Sequence, residues 1–458
     1  PSVSAAWRIS EENFFKNSSI SSWFSNLKLR ASYGMMGDDN LGGLYPDFAY
    51  LSGYTYYKGQ SLMPDDPFSS VKSKKVIGSA PKGIPVTTIS WMKIKLMNVG
   101  IDFGFFDNRL TGEFDLFKRM RDGIPGTPSD IMFPLETGLS ALPENMNSDM
   151  TVGFDAFVKW NDKVGDLKYS VGANITFARQ KNGKRHGEIF GNAWDKYRWA
   201  QSNRWSNVVL NTDQGNAGGV WMWEVIGRFE TQEQIDSYPV DQDGQNNATV
   251  RPGDVILRDV NGDGIINDFD ERPQAYASAD WPWDSSTSNK NPLISMGINV
   301  GFEWKGFDVA ADFAGGFKNT FVADWDLKWG VTRSVNGYYY NNIDVWRHED
   351  IFDPKSPWIP GKFPALRGQE SHSGRWWNSF YTREVNYLRL RNLVVGYSLP
   401  KNWIRKVGME QCRIYFQGTN LFCLSSLHDY GFDPEISTVN GQDYPQHKVL
   451  TLGVNVKF

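Results

Sequence analysis

The sequence predicts an all-β fold of antiparallel strands, and three observations carry that prediction. Apolar residues recur at every second position in one segment after another. The connections between these segments alternate between short and long. No run of roughly 18 apolar residues occurs, which excludes a helical membrane span but not strands of about 10 residues that cross one.

Strands are expected at residues 3–9, 26–34, 92–105, 109–120, 148–160, 167–179, 292–304, 307–316, 384–398, 411–423 and 446–458. In 98–105, Val99, Ile101, Phe103 and Phe105 alternate with Asn98, Gly100, Asp102 and Gly104. The turn FDNR leads into LTGEFDLF. Val152, Phe154, Ala156, Val158 and Trp160 share a face, and the turn NDKVGD follows. Tyr169, Val171, Ala173, Ile175 and Phe177 repeat the pattern, as do Met296, Ile298, Val300, Phe302 and Trp304. After the turn KG come Phe307, Val309, Ala311 and Phe313.

One strand breaks phase. Leu388 and Leu390 are even, whereas Leu393, Val395, Tyr397 and Leu399 are odd. A β-bulge near Asn392 would restore one apolar face; otherwise the two leucines point the other way. The final segment, TLGVNVKF, sets Leu450, Leu452, Val454, Val456 and Phe458 against Thr451, Gly453, Asn455 and Lys457.

Short connections (FDNR, NDKVGD, WKGF, SLPKNWIRKVGMEQ) face long ones at 35–91, 121–147, 180–291, 317–383 and 425–445. This is the asymmetry of an outer-membrane barrel, with periplasmic turns and extracellular loops. Apolar rows then face lipid. Asn98, Asp102, Asp155, Asn174, Asn299, Asp308 and Asp312 face the lumen. Eleven strands are odd in number, and their open edges are not viable in lipid. The start at Pro1, without Met, reads as internal, so the remainder of the barrel is expected elsewhere.

Composition excludes several classes. A formal net charge of −4 gives no electrostatic case for nucleic acid. The five His (His186, His348, His372, His428, His447) have no metal-ligand spacing and no nucleophile motif, so an enzyme is not expected. Cys412 and Cys423 are roughly 37 Å apart along one predicted strand and cannot bridge within it. Aromatics reach 15%, with 19 Trp, as interfacial belts or sugar-binding surfaces require.

LKLRASYGMMGDDN (27–40), MNVGIDFGFFDNRLTGEFDLF (97–117), VNYLRLRNLVVGYSLPKNW (385–403) and YFQGTNLF with DYGFDPE (415–435) resemble the C-terminal barrel of SusC/RagA-like TonB-dependent transporters. The resemblance runs in order through nearly the whole chain and is weakest in the long loops. It departs at Asp38, where the family commonly has Asn. It implies a 22-stranded barrel with an N-terminal plug, of which residues 1–458 are the C-terminal portion without the plug. It also implies a SusD-like lipoprotein lid, energy from the TonB–ExbB–ExbD complex through the missing plug, and a dimer of transporter–lipoprotein pairs. The chain end, with Leu452, Val454 and Val456 toward lipid and Phe458 at the periplasmic rim, resembles a barrel-assembly signal.

The sharpest chemical motif is DVNGDGIINDFDE, within the long loop 180–291. Asp259, Asn261, Asp263, the Ile265 carbonyl, Asn267 and Asp270 stand at calcium-loop spacing, with Gly264 at the sharp turn. A final Asp where Glu is common shortens the last ligand and implies an affinity of ~10⁻⁴–10⁻³ M, that of extracellular modules. The bland alternative is an Asx-rich turn. Either way the loop is stiffened rather than made catalytic.

Aromatic clusters crowd the long loops. Trp194, Trp199 beside Arg198, Trp205, Trp221, Trp223, Trp376 and Trp377 are candidate substrate contacts, since flat rings stack on sugar faces. Loop packing and partner contact compete with that reading. The expectation is nutrient import: a glycan first, an oligopeptide second. The rivals are a passive porin and a surface-binding barrel.

Overall fold

The computed structural model describes residues 1–39, 50–57, 78–81, 84–88, 90–126, 142–182, 220–275, 292–322, 344–365, 378–428, 432–435 and 446–458, with a few single positions between them. Its centre is one antiparallel sheet of eleven strands. These are β1 (Ser2–Arg8), β2 (Phe24–Asp38), β3 (Met92–Phe105), β4 (Leu110–Gly126), β5 (Glu144–Val164) and β6 (Leu167–Asn182). They continue as β7 (Ile294–Trp304), β8 (Phe307–Val322), β9 (Thr382–Ser398), β10 (Gln411–Ser425) and β11 (Val449–Lys457). Spatial order follows chain order, with β1 and β11 at the edges. Among the described residues no helix is long and apolar enough to cross a membrane.

Directly paired residues share a face, so the register tests the alternation. One row runs Leu27, Phe103, Gly112, Val158, Ala173, Ile298, Phe313, Leu390, Phe422 across nine strands. The neighbouring row on the other face runs Lys28, Asp102, Glu113, Phe157, Asn174, Gly297, Ala314, Arg389, Cys423. An apolar outer face and a more polar inner one is the arrangement of a membrane barrel wall.

The phase break in β9 is resolved by a bulge. Asp312 pairs with Asn392 and Phe313 with Leu390, so Arg391 is the extra residue. Leu388 and Leu390 thereby join Leu393, Val395 and Tyr397 on the row facing Gly315, Phe313, Ala311, Val309 and Phe307. On the other side of β9, β10 carries its own irregularity, with Asn420 in the left-handed region at φ 53°.

Several boundaries differ from the sequence reading. β4, β5 and β8 are longer than expected, reaching Gly126, Glu144–Val164 and Val322. The turn expected over NDKVGD is only Gly165–Asp166, because Asn161–Val164 still pair with β6. Pairing there satisfies backbone groups that a longer turn would leave open. Lys305 and Gly306, both with positive φ, make the two-residue turn between β7 and β8. The β1–β2 connection is not a tight turn but short helical pieces, Ile9–Glu11, Asn13–Lys16 and Ser19–Ser22.

The short-turn end carries an aromatic belt. Trp23 stacks on Phe24 and Phe105, and Phe106 meets Trp160. Phe307 and Tyr397 lie 4.4 Å apart between ring centres. Trp7, Trp23, Phe106, Trp304 and Phe307 are exposed, as rings at a membrane–water boundary are.

The other end carries a folded module, residues 220–275. Its short strands are Val220–Met222, Val225–Arg228, Val255–Leu257 and Arg272–Ala275, and its helix is Gln232–Asp236, capped by Thr231. Two small cores hold it together. One contains Phe229, Ile235, Val250 and Ile256; the other contains Trp223, Val255, Leu257 and Ile266. The Ser379 N–H donates to the Trp223 carbonyl and the Val225 N–H to Ser379 Oγ, so the module is tied to the approach to β9.

Candidate functional site

The inner face of the sheet is wired by ion pairs between strands. Arg30 on β2 reaches Asp102 on β3 at 2.7 Å and Asp115 on β4 at 2.8 Å. It crosses β3 over Gly100, where a Cβ would meet Asp115 Oδ1 at 2.2 Å. A side chain at 100 would therefore force the Asp115 carboxylate, and with it the bridge to Arg30, to shift. Arg413 donates to Asp308 at 2.9 Å, Asn299 to Asp312 at 2.7 Å, and Arg121 to Asp149 at 2.9 Å. Of the residues expected in the lumen, Asp102, Asn299, Asp308 and Asp312 are in this network. Asn98 pairs with Ser32 and Phe117, Asp155 with Asp115 and Thr176, and Asn174 covers Gly297, all on the same face.

A second cluster ties β9 to residues 432–435 of the β10–β11 connection. Arg389 donates to both oxygens of Asp433 at 2.6 Å and lies 3.0 Å from Glu435. Arg391, the bulged residue, donates to Glu435. The bulge is what allows Arg389 and Arg391 to reach the same acidic segment. Beside them Phe432 stacks on Phe321, over a core of Phe321, Val385 and Leu427. Sequence reasoning missed this cluster. RLRN and FDPE were both visible, but only the fold brings residues 44 positions apart together.

The predicted calcium loop adopts a tight Asx-rich turn. Asp259 accepts from the N–H groups of Gly262 and Gly264, and Gly264 has φ +81° as the sharp turn requires. The Asn261 and Asn267 amides converge on Asp263 Oδ2 at 2.8 and 3.5 Å, and Asn267 lies 3.5 Å from the Ile265 carbonyl. Hydrogen bonds from the Ile265 N–H and the Asn261 amide hold the Asp263 carboxyl below its usual range. Asp270 is fully buried and accepts from the N–H groups of Val260, Asn261 and Asn267. Among the described residues no three His, Cys, Asp or Glu side chains form a ready metal group. Asp263 lies at the middle of the turn, with the Asn261 and Asn267 amide nitrogens on its Oδ2, while the Asp259 and Asp270 carboxylates accept backbone N–H groups on either side.

This loop leans on a second turn, 241–249. The Asp241 N–H donates to the Gly264 carbonyl and the Ile266 N–H to that of Asp241, each at 2.9 Å. Asp243 in that turn is buried, which opposes its charge. The Thr249 hydroxyl and the N–H groups of Thr249, Gln245 and Asn247 outweigh burial and lower its carboxyl to about 2.

The candidate aromatic contacts fall in different places. Trp223 is a core residue whose indole N–H donates to the Asn267 carbonyl at 2.8 Å. That is a packing role under the loop rather than a ring offered to a ligand, and the sequence could not show it. Trp194 stacks on Tyr197 at 5.3 Å and meets Phe269 edge-on at 5.4 Å, so it sits against the 259–270 turn. Trp221 lies in the strand Val220–Met222. Trp199, Trp205, Trp376 and Trp377 lie outside the described residues. At the chain end, Leu452, Val454 and Val456 are exposed on the outer row, paired with Phe416, Ile414 and Cys412, and Phe458 is exposed beyond the strand.

Sequence comparison extends this geometry along the whole chain. The TonB-dependent receptor SusC of Bacteroides thetaiotaomicron is 23% identical over 470 residues, covering 100% of this chain and 40% of SusC. The similarity to SusC runs through this chain from end to end. The TonB-dependent receptor P39 of Formosa agariphila is 23% identical over 511 residues, covering 100% of this chain and 42% of P39. Among solved structures, the RagAB peptide transporter matches with a TM-score of 0.63 and 20% identity, covering 100% of this chain and 43% of that chain. RagAB in its closed-closed state matches with a TM-score of 0.64. No family model matches. The chain thus spans about 40% of the length of these relatives, which are named receptors and transporters rather than enzymes. Its eleven strands have the fold of part of a TonB-dependent transporter barrel.

Proposed function

We propose that this SusC-like chain forms part of a TonB-dependent outer-membrane importer that takes a nutrient from a surface lipoprotein lid. The observation that carries the reading is the two-faced sheet. An unbroken apolar row covers nine strands outside, and an ion-paired face lies inside. Similarity over the full chain to SusC and P39, both named TonB-dependent receptors, supports energy coupling. The inner ion pairs give the wall its own charge balance, so a mobile plug or a polar solute meets satisfied groups rather than bare charges. The folded 220–275 module and the segment at 432–435 form a structured outer vestibule in which a ligand loses less entropy on capture.

A glycan suits the aromatic content of the loops. The RagAB structures, described as a peptide transporter and importer, favour an oligopeptide as the second reading. Calcium is the cation the 259–270 turn would take, with Asp259, Asn261, Asp263, the Ile265 carbonyl, Asn267 and Asp270 as candidate oxygen ligands, and its binding would stiffen the vestibule. The deciding experiment is uptake by cells expressing the full-length protein, with and without a functional TonB, together with identification of the solute that co-purifies. Uptake indifferent to TonB would favour a passive porin or surface-binding barrel instead.

A further inference from the structure

The connection between β9 and β10, unlike the tight turns that follow β3, β5 and β7 at the same end, is helical. It forms a helical turn, Lys401–Ile404, continued by Arg405–Val407 and closed by Gly408 at φ 75°. Cys412 tells where this connection lies. It stands on the outer row opposite Val456. Its row neighbours Ile414 and Val456 are each 42% exposed, yet Cys412 is only 7% exposed. The Leu399 N–H donates to the Cys412 carbonyl at 2.9 Å, and the helical turn packs on β10 with Ile404 buried. The connection therefore folds back over the lipid side of the strand end.

What it presents outward is specific. Trp403 is 65% exposed and Val407 63%. Lys401, Arg405 and Lys406 are exposed beside them, and residues 401–407 contain no acidic residue. The next carboxylate along the chain, Glu410, is engaged by Lys457 at 3.0 Å. The aromatic belt continues into this corner, since Trp304 pairs with Phe307 and Phe307 with Tyr397. A water-facing helix gains nothing from an exposed Trp and Val, and three cations with no acidic partner among the described residues call for anions.

We propose that residues 401–407 form an interfacial anchor that binds anionic phospholipid headgroups in the leaflet at the short-turn end. Trp403 and Val407 enter the acyl boundary, and Lys401, Arg405 and Lys406 hold phosphates. The proposal rests on the membrane-barrel reading, so its test includes a control for that reading.

The full-length protein is reconstituted in phosphatidylethanolamine vesicles with or without phosphatidylglycerol. It carries a benzoylphenylalanine photocrosslinker at position 403 or, as control, at position 307. Lipid adducts are expected at both positions, enriched for phosphatidylglycerol at 403. The triple variant Lys401→Gln, Arg405→Gln, Lys406→Gln should reduce capture of phosphatidylglycerol at 403 by on the order of tenfold. Lipid adducts at 307 with protein adducts or none at 403 would overturn the anchor and leave the barrel standing. Equal phosphatidylglycerol capture by the triple variant would overturn the headgroup assignment. No lipid adduct at either position would remove the barrel reading, and the anchor with it. Heat-modifiable gel mobility of each variant checks that it has folded.

Discussion

Arg389 on β9 is 4% exposed and donates from one guanidinium nitrogen to both carboxylate oxygens of Asp433, each at 2.6 Å. Glu435 completes the contact at 3.0 Å and is shared with Arg391. Two cations and two anions make the cluster neutral, so its cost lies in desolvation, and geometry must offset that cost. The cluster fixes residues 432–435 against the inner wall, making them part of the vestibule.

Arg389→Ala should therefore destabilise this corner by about 2–3 kcal/mol, because it leaves the half-buried Asp433 and Glu435 with half their positive charge gone. Limited proteolysis should cut near residues 432–435 in the variant before any cut appears in the wild type. Arg389→Lys keeps the charge but not the planar fork and should fall between the two. A wild-type cleavage pattern in Arg389→Ala would show that the cluster does not hold the segment.

The 241–249 turn should be acid-sensitive in a defined window. The Asp243 carboxyl sits at about 2, below its ordinary 3.8. A depressed folded value means the stabilisation is complete above the ordinary value and is lost as pH falls through about 2. Its size is roughly 1–2 kcal/mol. Amide exchange at Gln245, Asn247 and Thr249 reads it directly. Asp243→Asn should raise exchange at neutral pH and abolish the acid dependence; exchange that still rises steeply with acid would assign it to another group.

Calcium titration tests the 259–270 turn. The wild type should bind one ion with a dissociation constant of ~10⁻⁴–10⁻³ M. Asp259→Ala combined with Asp263→Ala should eliminate that binding and expose residues 220–275 to protease. Trp223→Ala should also loosen the module, by about 3–5 kcal/mol, because it empties the core beneath Asn267. If the double variant binds calcium as the wild type does, the turn is only an Asx-rich bend.

The outer row of β11 predicts an asymmetric response to charge. Val454→Arg should cost about 2–4 kcal/mol if the position lies at mid-bilayer, whereas Asn455→Arg on the opposite face should cost little. The yield of heat-modifiable protein in outer membranes measures this. Removal of Phe458 should slow accumulation of the assembled barrel without altering the register of β10 with β11. Equal yields for the two arginine variants would contradict a lipid-facing row.

Much of the barrel wall was legible because a strand between lipid and lumen writes its environment into every second residue. The apolar row through Leu27, Phe103, Val158, Ala173 and Ile298 needs no tertiary information to be read. Even the bulge beside Asn392 showed as a change of parity between Leu390 and Leu393. The ends of strands were less legible: Asn161–Val164 look like a turn in sequence and pair as strand, because pairing with β6 satisfies their backbone.

By itself, then, the sequence determined the two-faced strands, their order and the tight Asx-rich turn at 259–270, all set by neighbours a few residues away. Only the tertiary structure decided which aromatic rings are core and which are surface. Trp223 is buried because Val255, Leu257 and Ile266 close over it. Tertiary structure also decided that Arg389 and Arg391 meet Asp433 and Glu435, and that Cys412 on an outer row is covered. Each of these depends on segments brought together across the fold, where burial and the loss of water set the energy, and no local pattern records that meeting.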